Sequence, residues 1–432
     1  MKFLPDPHQV RAFDFAMKSP YNILALEMGL GKTFTTLYIQ EFLKSRKRGR
    51  TLIICPSYLI PTWEEEINKH CDPSITYRVF DSGNSIHKKI KNIDIVITSY
   101  NLVQKAEFLF RWAYMVAIDE AHSLKSLEAK RTSFIHRCIY EYSVPRLTLL
   151  TGTPIKNRVM EYYSLVALCN YNPKKKTSKF LEKFPDAIKF ADYFSNREQF
   201  SITINGRRIP RVEWNGVRKE NVAELKKWLA PIYFRVKSSD VLELERPIIK
   251  DILISKTPNT ALLRDFNAFF EEEGNSKTNV TKKVEAAIQK VPFTVKYVED
   301  AYKGGEMDCC AIYTDSVEAC EKLAAALKVS PITGKIDVKK RHAIADRFKA
   351  GKDDFIVATI GSFSQGIDLT RSNNLVFNDF SWVPGDMDQV IFRIQRRNQT
   401  RRCIIHKIHG SPQDKYIDKK LQEKREVIKE VT

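Results

Sequence analysis

The stretch Glu27-Met28-Gly29-Leu30-Gly31-Lys32-Thr33 gathers two glycines, a cation and a hydroxyl in one short run. Glycines let the N–H groups of Met28 to Thr33 converge on phosphate oxygens with no Cβ in the way. Lys32 adds charge at the outer phosphates, and Thr33 offers a hydroxyl to Mg²⁺. Leu26 stands where such a loop usually has its first glycine, and a lone Gly-Lys-Thr is also what an ordinary glycine-rich turn displays. A second cluster, Asp119-Glu120-Ala121-His122, leaves an apolar run. There Asp119 can hold Mg²⁺ through water and Glu120 can orient or deprotonate an attacking water, although paired acids at a strand end also serve as helix caps. Over Gly385 to Arg397, Gln389, Arg393 and Arg396 fall at i, i+4 and i+7 of a helix and share a face. Two arginines there could reach a γ-phosphate, or form a solvated stripe. Gln9 could read an adenine edge with its amide, or simply begin a helix.

These groups need strand ends to hold them. Tyr21 to Leu26 is an apolar run of strand length before the glycines, and Phe34 to Leu43 after them is apolar at helical spacing. Further strands are expected at Thr51 to Pro56, Ile93 to Ser99, Tyr114 to Ile118 and Arg146 to Leu150, the last running into Thr151-Gly152-Thr153-Pro154. Strands alternating with helices predict a parallel α/β sheet whose ligands sit beyond the carboxyl ends of its strands. A second set is expected at Cys310 to Thr314, Val329 to Thr333, Phe355 to Ile360, Asn374 to Asn378 and Arg402 to Lys407. Helices are expected at Pro258 to Glu273, Val280 to Lys303, Val317 to Leu327 and Lys339 to Lys349. The C-terminal helix, Tyr416 to Val431, is expected to pack on that second sheet. Between the sheets, residues 155–235 hold 17 Lys and Arg against 8 Asp and Glu, so nine of the net nineteen positive charges lie there. Aromatics are interleaved, and Ser201 to Ile209 reads as a hairpin with an Asn-Gly turn. The expected division is a first lobe at 1–154, a basic insertion and candidate DNA-contacting module at 155–235, a linker at 236–257 and a second lobe at 258–432.

A chain of 432 residues suits two or three domains. Its net charge of +19 makes a polyanion, nucleic acid above all, the expected partner. No apolar run is long enough for a bilayer, so no membrane partner is expected, and the N-terminus carries no secretion pattern. The 8 cysteines form no C-x-x-C pair, which reads as a reducing compartment without a zinc site.

Taken in order, the motifs resemble superfamily-two helicases, and within them the Swi/Snf-like branch of double-stranded DNA translocases. The resemblance rests on Gln9, Glu27 to Thr33, Ile54-Cys55-Pro56-Ser57 with Trp63, Thr98-Ser99-Tyr100, Asp119 to His122 and Leu150 to Pro154. In the second half it rests on Gly366-Ile367-Asp368-Leu369-Thr370, Trp382-Val383-Pro384, Gln389, Arg393 and Arg396. It implies two RecA-like lobes with ATP and Mg²⁺ between them and DNA, duplex or branched, lying across both. By resemblance Gln9 contacts adenine, Met28 to Thr33 hold the phosphates, Thr33 and Asp119 hold the metal, and Glu120 positions water. Arg393 and Arg396 then serve the transition state, while Thr151, Thr153, Gly366, Asp368 and Gln389 couple the nucleotide to the DNA path.

Some positions depart from the branch. Leu26 replaces an acidic residue, Asp368 an asparagine, and Phe392, Gln395, Arg397 and Asn398 replace the glycine, histidine, isoleucine and glycine of the last motif. With no long helical insertions of the remodeler kind, the expectation is a compact translocase for fork reversal, strand annealing or branch migration. It would act in a prokaryotic or virus-infected cytoplasm, or in a nucleus if eukaryotic. An RNA helicase and a non-catalytic nucleic-acid clamp are the alternatives.

Overall fold

The computed structural model describes the chain except residues 1, 82–89, 91, 154, 156–157, 173–176, 205–206, 243, 255–275, 364–366, 411 and 432. It divides into two units: Met1–Asn196 with Trp214–Val241 and Val427–Thr432, and Arg197–Glu213 with Leu242–Glu426. Among the described residues no helix is long and apolar enough to cross a membrane.

The first unit is built on strands β1 (Tyr21–Leu26), β2 (Thr51–Cys55), β3 (Tyr77–Val79), β4 (Ile95–Ser99), β5 (Met115–Ile118) and β6 (Arg146–Leu150). All residues of β1, β2, β4 and β5 are buried, as a parallel sheet covered on both faces requires. After a separate two-stranded ribbon, β7 (Asn196–Ile204) and β8 (Arg207–Asn215), strand β9 (Tyr233–Val236) completes the sheet in the order β3-β4-β2-β5-β6-β1-β9. Because β1 pairs in parallel with β6 and β5 with β6, the carboxyl ends of these three strands bring the glycine loop, Asp119-Glu120 and Thr151 to one sheet edge.

Residues 155–235 are not the self-contained insertion expected from their charge. Strand β9 is an edge of the first sheet, with Ile23 opposite Tyr233 and Leu26 opposite Val236. The helices Tyr163–Asn170 and Ala187–Phe194 bury their apolar faces in the first unit's core, where Phe180, Phe190 and Phe194 are fully buried and Phe184 nearly so. The aromatics read as interleaved with surface charge are mostly core: charge sits on one face and packing on the other. Lys174, Lys175, Lys176 and the Asn205-Gly206 turn lie outside the described residues. The ribbon has nine residues per strand, longer than the expected hairpin.

In the second unit, β10 (Ile248–Leu253), β11 (Cys310–Thr314), β12 (Pro331–Ile332), β13 (Phe355–Thr359), β14 (Asn374–Phe377) and β15 (Ile404–His409) form a sheet in the order β10-β15-β14-β11-β13-β12. All of its pairings are parallel. Part of the expected linker is therefore strand: β10 pairs with β15 from Ile248 opposite Ile404 to Leu253 opposite His409. The helix expected at Pro258 to Glu273 lies outside the described residues. On the last helix, Pro412–Val431, Ile417 and Leu421 pack in the second unit's core as expected, whereas Val431 is buried in the first unit's core with Val427 and Ile428 against it.

Candidate nucleotide site

In the first unit, β1 ends into a turn in which Gly29 and Gly31 adopt φ values of +81° and +75°, the left-handed region that disfavours side chains. Gly31 is the N-cap of the helix Lys32–Ser45 and has no side chain to accept from its first turn. Open N–H groups and the positive end of the helix dipole therefore face the loop, the arrangement that binds anions. A Cβ built on Gly29 meets nothing within 4 Å, while one on Gly31 would lie 2.1 Å from Gln9 Nε2. Lys32 reaches back to donate from Nζ to the Leu26 carbonyl at 3.2 Å, and a Cβ on Gly152 would stand 3.4 Å from that Nζ.

Gln9 lies over this loop. Its Oε1 accepts from the Asp6 N–H at 2.8 Å and its Nε2 donates to the Leu30 carbonyl at 3.4 Å. His8, unremarked in the sequence, places Nε2 3.0 Å from the same carbonyl. Glu27 points away from the loop: its carboxylate accepts from the Ser238 N–H at 2.9 Å and from the Ser238 hydroxyl at 2.7 Å.

Asp119 and Glu120 follow β5 and are both buried. Burial first, then the charge of Glu120, pushes the Asp119 carboxyl up from 3.8 to about 6, while Lys32, the Glu120 N–H and the Trp63 indole pull it back. Two of these contacts are short: the Glu120 N–H donates to Oδ1 at 2.8 Å and Trp63 Nε1 to Oδ2 at 3.0 Å. Glu120 holds a left-handed φ of 50° and ψ of 48°, a conformation costly for a non-glycine residue. The Tyr100 hydroxyl secures that turn by donating to the Asp119 carbonyl at 2.8 Å, and burial and the two carboxylates raise its pKa, so it stays a donor. His122 Nδ1 stands 3.2 Å from Glu120 Oε2 and 3.5 Å from Thr151 Oγ1, and Thr151 Oγ1 accepts from the Thr153 N–H at 3.1 Å. One imidazole thus joins the acid pair to the loop after β6.

The first unit accordingly groups Gln9, the glycine loop, Lys32, Asp119, Glu120 and Thr151. Trp63, Tyr100 and His122 are the supporting side chains that residue-by-residue reading left without roles. An apolar-looking tryptophan whose N–H must find an acceptor when buried was the available signal for Trp63.

In the second unit, the helix bearing Gln389 and Arg393 spans Pro384–Ile394 and stops before Arg396. Beyond the C-cap Gln395, whose N–H donates to the Ile391 carbonyl, the Gln399 amide shares its two hydrogens among the carbonyls of Ile394 (3.1 Å), Thr370 (3.1 Å) and Ser372 (2.9 Å) and holds the turn that follows. Arg396 is thus placed by this turn and by its own Nε donating to the Phe392 carbonyl at 2.9 Å, not by helical periodicity. Gln389 and Arg393 are buried, and the Leu369 N–H donates to the Arg393 carbonyl at 3.0 Å. Burial lowers the Arg396 pKa and Asp368 opposes that shift, so the two face each other electrostatically. Gly366 lies outside the described residues.

Two known families match this chain one after the other: the SNF2-related domain over residues 8–286 and the helicase conserved C-terminal domain over residues 290–398. It is 23% identical over 469 residues to the DNA repair and recombination protein RAD54-like of Drosophila pseudoobscura pseudoobscura, covering 93% of this chain and 59% of that one. It is 25% identical over 447 residues to the DNA annealing helicase and endonuclease ZRANB3 of Mus musculus, covering 94% and 39%. The chain therefore spans less than two thirds of the length of these relatives. A solved Sulfolobus solfataricus SWI2/SNF2 ATPase core in complex with dsDNA shares 24% identity at a TM-score of 0.46, over 100% of this chain and 93% of that one. With the SNF2-related match covering well over half of its residues, the chain belongs to the SNF2-related family of helicase-type ATPases.

Proposed function

We propose that the chain hydrolyses ATP to move along duplex DNA and thereby remodels branched DNA in recombination, repair or replication. The observation that carries the reading is the uncapped start of the helix Lys32–Ser45 at the same sheet edge as the buried Asp119-Glu120 pair. Family membership supports it, as do relatives whose names denote DNA repair, recombination and annealing. The residues fit the groups the chemistry needs: an open glycine cradle, a lysine whose acceptor is a backbone carbonyl, and a buried carboxyl held by two N–H donors.

The N–H groups of Met28 to Thr33 and the Lys32 ammonium would bind the phosphates. Thr33 and Asp119 would hold Mg²⁺, which supplies Lewis-acid charge to phosphate oxygens. Glu120, whose Oε2 lies 3.2 Å from His122 Nδ1, would orient water and accept a proton from it. His122 also touches Thr151, so a change at Glu120 is felt in the loop after β6. Arg393 and Arg396 of the second unit would complete the site by stabilising transferring charge, an effect worth on the order of 10³ to 10⁵ in rate. Coupling to DNA is assigned to Thr151, Thr153, Gly366, Asp368 and Gln389. Work in the cytoplasm, or in a nucleus, follows from the same reading.

The test is ATP turnover with blunt duplex, fork, four-way junction, single-stranded DNA and duplex RNA. DNA-stimulated turnover abolished in Lys32→Ala is expected, with junctions and forks reconfigured. Equal turnover with and without DNA would overturn the proposal, and stimulation by RNA alone would favour an RNA helicase.

A further inference from the structure

Strands β7 and β8 join neither sheet. With nine residues each they make a ribbon about 30 Å long and roughly 5 Å between strand axes. Its described residues are solvent-facing over much of both strands: Arg197, Glu198, Gln199 and Ser201 on one, Arg208, Ile209, Pro210 and Arg211 on the other. Isolated two-strand ribbons are marginal by themselves. Arg197–Glu213 group with the second unit, while the residues on either side of them are held in the first. Trp214 Nε1 donates to Asp192 Oδ1 at 2.7 Å, the Arg218 N–H to the Phe194 carbonyl at 2.8 Å and Arg218 Nε to the Ser195 carbonyl at 3.1 Å, all beside the buried Phe190 and Phe194 rings.

We infer that this ribbon enters the major groove of duplex DNA, with Arg208 and Arg211 on phosphates. The inference rests on the proposed DNA-directed function and adds where and how the duplex is held. Charge complementarity selects the partner: Asn196 to Asn215 carry four arginines and two glutamates. Geometry selects the groove, because a B-form major groove about 12 Å wide admits a two-stranded ribbon. The A-form groove of duplex RNA is too narrow for it. An added protein strand is disfavoured, since Pro210 cannot donate to a neighbouring strand and the charged Arg211 follows it.

The test measures binding of a 30-base-pair blunt duplex, as DNA and as RNA, between 50 and 200 mM salt, for the wild type, Arg208→Ala/Arg211→Ala and Arg208→Lys/Arg211→Lys. Each lost phosphate contact removes about 0.9 from the salt slope, so the alanine variant's slope on DNA falls by about 1.8. Its affinity deficit then shrinks roughly 12-fold across that salt range. The lysine variant keeps the slope. On RNA the three proteins give one slope. A wild-type slope in the alanine variant on DNA overturns the inference, as does an equal loss on RNA. A wild type that binds no duplex DNA overturns the proposed function itself. A second measurement uses unmodified protein: phenylglyoxal labelling of Arg208 and Arg211, read by mass spectrometry, falls several-fold on adding duplex DNA. Undiminished labelling counts against the ribbon.

Discussion

Replacing Trp63 by phenylalanine removes one hydrogen atom that matters and keeps most of a buried ring. In the wild type the indole N–H donates to Asp119 Oδ2 at 3.0 Å and favours the ionised carboxylate, opposing the burial that lifts its pKa to about 6. A hydrogen bond to a charged group is worth about 1.5 kcal/mol at the lower end and 1.36 kcal/mol equals one pKa unit; Trp63 is the weakest of the groups acting on Asp119, so losing it raises the carboxyl further by at most about one unit. A larger share of the carboxylate that is to hold Mg²⁺ would then be protonated near neutral pH. The assay is DNA-stimulated ATP turnover from pH 5.5 to 9 at subsaturating Mg²⁺. The acid limb of kcat/KM is expected to move up by as much as about one unit, with activity recovering at pH 9. A variant that loses activity equally at every pH has lost packing alone. An unmoved acid limb would refute the assignment of Trp63 as the group that positions Asp119.

Asp119→Asn should stabilise the ligand-free protein while abolishing turnover. A carboxyl whose folded pKa of about 6 exceeds its ordinary 3.8 binds its proton more tightly when folded. Its burial cost is absent below pH 3.8, grows between the two values and is full above pH 6, reaching on the order of 3 kcal/mol. Melting curves at pH 4 and pH 7 should show the variant gaining only at the higher pH. Gly31→Ala combines a left-handed φ, costing roughly 1–2 kcal/mol for a residue with a side chain, with a Cβ driven into Gln9. Fluorescent-nucleotide titration should show affinity weakened about tenfold or more. Phe190→Ala, which removes a fully buried ring in contact with Phe180, Phe184 and Phe194, should cost about 3–5 kcal/mol in denaturant unfolding of the first unit.

Most first-unit strands could be read from sequence because a strand buried on both faces is a plain apolar run, as in Ile23-Leu24-Ala25-Leu26 or Leu52-Ile53-Ile54. Strands β9 and β10 could not. Tyr-Phe-Arg-Val is only four residues long, and the exposed β10 alternates nothing. Both are edge strands, identified by their partners rather than by their own composition. The chemistry of Lys32, Asp119 and Glu120 is written in residue type and order. What holds them is not: the Trp63–Asp119, Tyr100–Asp119 and His122–Thr151 contacts join positions 19 to 56 residues apart. The end of the arginine helix was misplaced for a related reason, since the turn beyond it is held by the Gln399 amide on the Ile394, Thr370 and Ser372 carbonyls, which local spacing does not reveal.

Glu27 closes one more circuit. Its carboxylate grips both the backbone and the hydroxyl of Ser238, shortly before the chain leaves the first unit at Val241. The glycine turn is thereby tied to the segment where the chain leaves the first unit twice over, by this side-chain grip and by the pairing of β1 with β9.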